Sequence, residues 1–177
     1  MRLSMPALVR TSTIALLPVL GLLAAGASAC ASYRLAEPHA EVLNPFTPIP
    51  TDFARVCVVR TSRLAFAQAF PMTDNGMLVG ATKGLTFFCY KAEPGEHTLR
   101  IEADEPVVEK LYAVGGRSYY LHETIPLSPA VRCEVTFVSE AKARELMDRS
   151  TYEVLTDTPS SEHPPEAVPY AKALKQP

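Results

Sequence analysis

The chain lacks the spacings that announce most protein chemistry. It has four histidines and four cysteines, yet no His-x-x-x-His or Cys-x-x-Cys pair, so no metal site with convergent ligands is expected. No serine stands in a Gly-x-Ser-x-Gly elbow, and no glycine-rich loop opens a helix to cradle phosphate. Catalytic residues and cofactors are therefore not expected, and the chain does not read as an enzyme. Basic residues are not in excess: 17 Lys and Arg face 19 Asp and Glu, a net charge of −2. Without a basic patch the electrostatic drive toward a phosphate backbone is missing, which argues against a nucleic-acid partner. Tryptophan is absent, whereas prolines number sixteen, and their placement divides the chain.

The N-terminus has the three parts of an export signal. Arg2 and Arg10 form a positive region, an apolar run follows from Ile14 to Ala25, and Gly26-Ala27-Ser28-Ala29 leads to Cys30. That run is 12 residues long and contains Pro18, whereas crossing a bilayer takes about 20 apolar residues. Residues 1–29 are thus expected to be a cleaved signal peptide. Their removal takes two arginines and leaves 15 basic against 19 acidic residues, a net of −4. Ala27-Ser28-Ala29-Cys30 resembles the bacterial lipobox, whose cysteine becomes the lipidated first residue. Cys30 is the candidate lipid-attachment site, and several acyl chains would hold durably, at about 0.8 kcal/mol per buried methylene. The Ala27-x-Ala29 spacing also suits ordinary signal peptidase, which would release a soluble protein. With alanine rather than aspartate at position 31, the usual sorting rule directs a lipoprotein to the outer membrane, facing the periplasm.

Proline punctuates both flanks. Residues 30–52 carry Pro38, Pro45, Pro48 and Pro50 and read as an extended linker, because proline donates no backbone hydrogen bond and restricts its predecessor. Residues 153–177, with Pro159, Pro164, Pro165, Pro169 and Pro177 among polar residues, read as a disordered tail. Between them, 53–152 alternates with period two. In Thr98–Asp104, Leu99, Ile101 and Ala103 share a face, and Val131–Phe137 alternates in the same way. Further strands are predicted at Arg55–Thr61, Ala65–Pro71, Met77–Ala81, Leu85–Lys91, Val107–Val114 and Ser118–Ile125. Asp74-Asn75-Gly76, Gly115-Gly116 and Glu93-Pro94-Gly95-Glu96 supply turn chemistry, the last as a type II turn. These features predict a mainly β fold, an antiparallel β-sandwich of the transthyretin or immunoglobulin kind. One short C-terminal helix is predicted over Ser139–Arg149, capped by Ser139.

With Cys30 acylated, Cys57, Cys89 and Cys133 remain, which in an oxidising compartment suggests one disulfide and one buried thiol, the pair being open. Phe88, Tyr90 and Tyr120 sit on strands that place rings on both faces. They are candidate recognition aromatics, the alternative being half-buried strand residues.

Several motifs recur in a familiar order. Arg55-Val56-Cys57-Val58-Val59-Arg60 opens the domain, and Asn75-Gly76-Met77-Leu78-Val79-Gly80 forms a hairpin. Phe87-Phe88-Cys89-Tyr90, Pro94-Gly95-Glu96-His97-Thr98-Leu99 and Gly116-Arg117-Ser118-Tyr119-Tyr120-Leu121 follow. Together, over about 54–138, they resemble the bacterial lipoprotein domain known as domain of unknown function twenty-eight forty-six. The Pro-Gly-x-His-x-Leu piece also resembles PEGA domains. The resemblance implies an envelope sandwich, often lipid-anchored, without established catalytic activity. Two readings follow. One is a non-catalytic envelope lipoprotein held to a membrane by its lipid and binding an envelope protein or cell-wall material. The other is a secreted soluble sandwich acting as an inhibitor or carbohydrate-binding module.

Overall fold

The computed structural model describes residues 33–37, 44–127 and 131–157. The expected signal peptide, Cys30, His39, His163 and the tail beyond 157 lie outside the described residues. Among the described residues eleven strands and one helix follow in chain order: β1 (Arg34–Ala36), β2 (Ala54–Arg60), β3 (Phe70–Asp74), β4 (Met77–Thr82), β5 (Thr86–Ala92), β6 (Gly95–Ile101), β7 (Val107–Ala113), β8 (Ser118–Thr124), β9 (Glu134–Val138), α1 (Glu140–Met147), β10 (Thr151–Tyr152) and β11 (Val154–Asp157). They form a five-stranded sheet in the order β10-β5-β2-β8-β9, a four-stranded sheet β4-β3-β6-β7, and a ribbon β1-β11. The fold is a β-sandwich with one short helix. No helix among the described residues is long and apolar enough to cross a membrane.

The chain alternates between layers. From β2 it crosses to the β3–β4 hairpin, returns for β5, crosses again for β6–β7, and comes back through β8 and β9. This route sets β8 parallel to β2, with Arg55 opposite Ser118 and Arg60 opposite Glu123. β10 likewise runs parallel to β5. The expected antiparallel β-sandwich is thus present with one difference: the β2–β8 and β10–β5 pairings run parallel, so its five-stranded sheet is mixed. Alternation reports which face a residue takes, and carries no information on strand direction.

Every residue of β2 is buried. Val56 and Val58 face the four-stranded sheet, joining Phe88, Tyr90 and Leu121 from their own sheet and Phe70, Met72, Val79, Leu99 and Ile101 from the other. On the opposite face Cys57, Val59, Phe87, Cys89 and Tyr120 pack beneath Ala143, Leu146 and Met147 of α1. The helix begins as expected, with Ser139 accepting from the Lys142 amide, and its buried residues form one stripe. Burying a Val or Leu side chain contributes about 1.5–3 kcal/mol, and β2 collects that contribution on both faces.

The hairpin between β3 and β4 turns through Asn75 (φ 49°) and Gly76 (φ 83°), the two positive φ values of a tight primed turn. At Glu93-Pro94-Gly95 the outcome differs from the expected type II turn: Gly95 already belongs to β6, with φ 138°. The strand expected at Ala65–Pro71 is displaced to Phe70–Asp74. The cause is the buried Arg60, whose Nη1 donates to the Gln68 carbonyl and whose Nη2 donates to those of Leu64 and Ala65. Those carbonyls satisfy the guanidinium instead of a neighbouring strand.

The folded region also begins earlier and ends later than the proposed 53–152. β1 lies in the expected linker and β11 in the expected tail, and they pair antiparallel, Leu35 opposite Leu155. Tyr33 and Leu155 are buried with Leu78 and Ala81 of β4. The pairing partners lie more than a hundred residues apart, and neither segment has enough alternation to announce a strand alone.

Cys57 and Cys89 sit opposite each other on β2 and β5 and are joined by a disulfide. Cys133 is the buried free thiol among the described residues. The bond spans a sequence separation of 32, for which loop-closure entropy contributes about 3–4 kcal/mol. A Cys57→Ala, Cys89→Ala double variant is expected to lose that amount in denaturant unfolding. Unchanged stability would contradict the cross-link's assigned role.

Candidate functional site

Residues 44–50 run as a strap along the helix-bearing face of the five-stranded sheet. Asn44 organises its start: its Oδ1 accepts from the Phe46 amide, and its carbonyl accepts from the Thr47 amide. Arg55, buried on β2, then holds the strap through Nη1, which donates to the Pro45 carbonyl at 2.7 Å and the Thr47 carbonyl at 2.8 Å. The Tyr120 hydroxyl donates to the same Pro45 carbonyl at 3.3 Å. Phe46 is thereby set against the Tyr120 ring at 5.7 Å, with the Arg144 guanidinium 3.8 Å above its own ring. Arg144 is itself held by Glu140 one helical turn earlier.

Between the strap, β8, β9 and the start of α1 lies a groove of about 490 Å³. Its walls are Phe46, Pro48, Ile49, Tyr119, Tyr120, Phe137 and Val138, and Ser118, Ser139 and Glu140 supply polar atoms. Its walls mix apolar rings and polar atoms in nearly equal share, and binding clefts combine apolar surface with placed polar groups in this way. Burial pushes the Tyr120 hydroxyl above its ordinary value, which keeps it a neutral hydrogen-bond donor. β9 is an edge strand, and Phe137 on it is 44% exposed, so an apolar ring lies open to solvent.

Of the expected recognition aromatics, Tyr120 lines this groove. Phe88 and Tyr90 do not: both are buried in the sandwich core. β5 is covered on both faces, so neither side of it could present a ring to a partner. Phe46 and Phe137 belong to the groove and were missed. The available signal for the first was an aromatic inside Asn-Pro-Phe-Thr-Pro-Ile-Pro, a segment otherwise suited to a solvated linker.

Two polar clusters are buried elsewhere. At one end of the sandwich Glu123 of β8 is fully buried beside Arg60 of β2, with Arg60 Nε 3.7 Å from Glu123 Oε1. The Thr82 hydroxyl donates to Glu123 Oε2 at 2.7 Å. Among the described residues Arg60 Nε and Glu123 Oε1 have no hydrogen-bond partner. Burial raises the Glu123 carboxyl from its ordinary 4.5 to about 7, against the opposing effects of Thr82 and Arg60. Burial also pushes the neighbouring Cys133 thiol up, which keeps it from thiolate chemistry.

At the other end Asp74 accepts from the Tyr90 hydroxyl at 3.0 Å and meets His97 Nδ1 at 2.7 Å. His97 Nε2 faces the Glu93 carbonyl at 2.7 Å. Both ring nitrogens are engaged, so this pair fastens the Pro94 turn to the end of β3 instead of presenting a free base. His122 Nε2 is bonded to the Thr61 hydroxyl. Among the described residues no group of three His, Cys, Asp or Glu side chains converges as metal ligands would.

The Glu123 carboxyl gives stability a definite pH sign. A group whose folded value lies above its ordinary one binds its proton more readily when folded. Its contribution is therefore complete below about pH 4.5 and is lost as pH rises through about 7. Glu123→Gln keeps the shape and removes the titration. Relative to wild type, the variant is expected to gain stability on the order of 3 kcal/mol between about pH 4.5 and about pH 8, read from urea midpoints. A difference that does not change with pH would contradict the burial-driven shift. Comparisons with protein-family models, curated proteins and solved structures found no match.

Proposed function

We propose that this chain is an exported, non-catalytic envelope lipoprotein, anchored through Cys30, whose sandwich serves as a binding or structural accessory module. The observation that carries this reading is the Cys57–Cys89 disulfide. Such bonds persist in oxidising compartments and are rare where cytosolic reductants act. Together with the export features of residues 1–29 and the lipobox-like Ala27–Cys30, it supports folding beyond the inner membrane. The ordered motifs over 54–138, resembling a lipoprotein domain, support the same class.

The aromatic groove supports binding as the task. Phe46 and Tyr120 are held by each other, by buried Arg55 and by Arg144 of the helix, so a partner would meet two preorganised rings and pay little ordering cost. An envelope protein or cell-wall material is the partner class that the location implies, with the outer membrane's periplasmic face as the site of action.

Intact mass and fractionation test the assignment together. The protein recovered from cells is expected to begin at Cys30, carry diacylglyceryl and acyl mass there, and sediment with membranes. Cys30→Ser is expected to abolish the added mass and the anchoring. A protein that begins at Cys30 without lipid would favour the secreted inhibitor or carbohydrate-binding reading. Retention of Met1 would overturn export altogether.

A further inference from the structure

The same anchor, if present, has almost no slack. Tyr33 is 8% exposed, packed in the cluster with Leu78, Ala81 and Leu155, and β1 begins at the next residue. Only Ala31 and Ser32 stand between Cys30 and this packed side chain. Three Cα steps of about 3.8 Å limit the separation of Cys30 from Tyr33 to about 11 Å. The prolines of the stretch expected to be an extended linker, from Pro38 on, follow β1 in the chain, so they cannot lengthen the tether.

The direction of β1 decides which end of the sandwich comes down. The Thr151 and Glu153 amides donate to the Leu85 and Phe87 carbonyls at the start of β5, and Ala36 pairs with Val154, the next residue along, which places the C-terminal end of β1 toward the β4–β5 turn. Its N-terminal end, Tyr33–Arg34, therefore points the opposite way, toward the β3–β4 hairpin at Asn75-Gly76-Met77. That hairpin is bonded to β6 through the Asn75 amide to the Thr98 carbonyl and Asn75 Nδ2 to the Glu96 carbonyl. Glu96 in turn pairs with Tyr112 on β7. This end exposes three apolar or aromatic residues, Met77 (38%), Tyr112 (68%) and Val114 (42%). Side chains of that kind, tyrosine above all, suit the boundary between headgroups and acyl chains. The opposite end exposes apolar residues too, Leu64, Phe66, Val108 and Leu127, so the reach of the tether, not apolarity, chooses between the ends. The seven-residue strands between the ends span about 23 Å, further than the tether reaches.

We infer that the hairpin end of the sandwich, with Met77 and Tyr112, rests on the phospholipid surface to which Cys30 is anchored. This inference rests on the lipoprotein reading above. The consequence is a fixed pose: the end carrying Phe66 and Leu127 points into the periplasm, and the groove of Phe46 and Tyr120, whose wall residue Tyr119 is bonded to the backbone of Tyr112 and Val114, opens sideways next to the membrane surface, where its partner would reach it.

The absence of tryptophan from the chain makes a clean experiment possible. Met77→Trp, Tyr112→Trp and Leu127→Trp variants of the mature protein, purified from cells, are each reconstituted into phosphatidylethanolamine–phosphatidylglycerol vesicles containing brominated acyl chains. Intact mass of each preparation reports whether Cys30 is acylated. The expected result is at least twofold quenching and a blue shift for the Met77 and Tyr112 variants, with the Leu127 variant unchanged. Using two reporters at the hairpin end guards against one that perturbs folding, which far-ultraviolet circular dichroism checks. Acylated protein with unquenched hairpin-end reporters, or with equal quenching at Leu127, would overturn the pose and leave the anchor intact. Protein with no acyl mass would overturn the anchor and, with it, the pose.

Discussion

Burial of β2 on both faces is the constraint on which the rest of the structure depends. Val56 and Val58 need a second sheet, and Cys57 and Val59 need a cover on the other side. The four-stranded sheet answers the first demand. The second is met by α1 and by the strap at 44–50. Because β2 is central, its neighbours inherit the demand: β5 and β8 must also be apolar on two faces, which is why Phe87 and Phe88 stand side by side. The disulfide fixes β2 to β5 within the helix-covered layer, and Arg55 and Arg60, at the two ends of the buried run, spend their guanidiniums on the strap and on the β2–β3 loop. Buried arginines of this kind are tolerated because backbone carbonyls satisfy them.

The strands with one solvated face were readable from sequence. β6 and β7 alternate because the outer face of their part of the sheet is open to water, so half of each strand is solvated, and the helix carried its cap and its single apolar stripe. Strands covered twice were harder to interpret. The aromatic run of β5 looks the same whether its rings are core or recognition surface, since period-two reasoning assumes that one face is open. Parallel pairing of β2 with β8 left no local trace, nor did the closure of β1 onto β11. The displaced β3 had a cause visible only in three dimensions: a charged residue at the end of a buried strand takes the carbonyls of the following loop.

The groove was legible in part. Tyr120 was found because it lies in a strand rich in aromatics, whereas Phe46 was hidden in a segment whose prolines argued for a linker. Those prolines do fit an extended strap, and what holds the strap to the sheet is Arg55 and Tyr120, both distant in sequence. Function at such a site would come from its shape and from the rings set among its polar atoms. Export, anchoring and the choice of partner remain proposals carried by the disulfide, the N-terminal pattern and the groove.

Native-state amide hydrogen exchange tests the central role of β2 most directly. The account requires the amides of Val56 to Val59, bonded on both sides and buried on both faces, to exchange only through global unfolding, at the slowest rate in the chain. Amides of the short β1–β11 ribbon would exchange earlier, through local opening. If the β2 amides exchanged as fast as those of the ribbon, or before those of β6 and β7, the sandwich would not be organised around a doubly covered central strand.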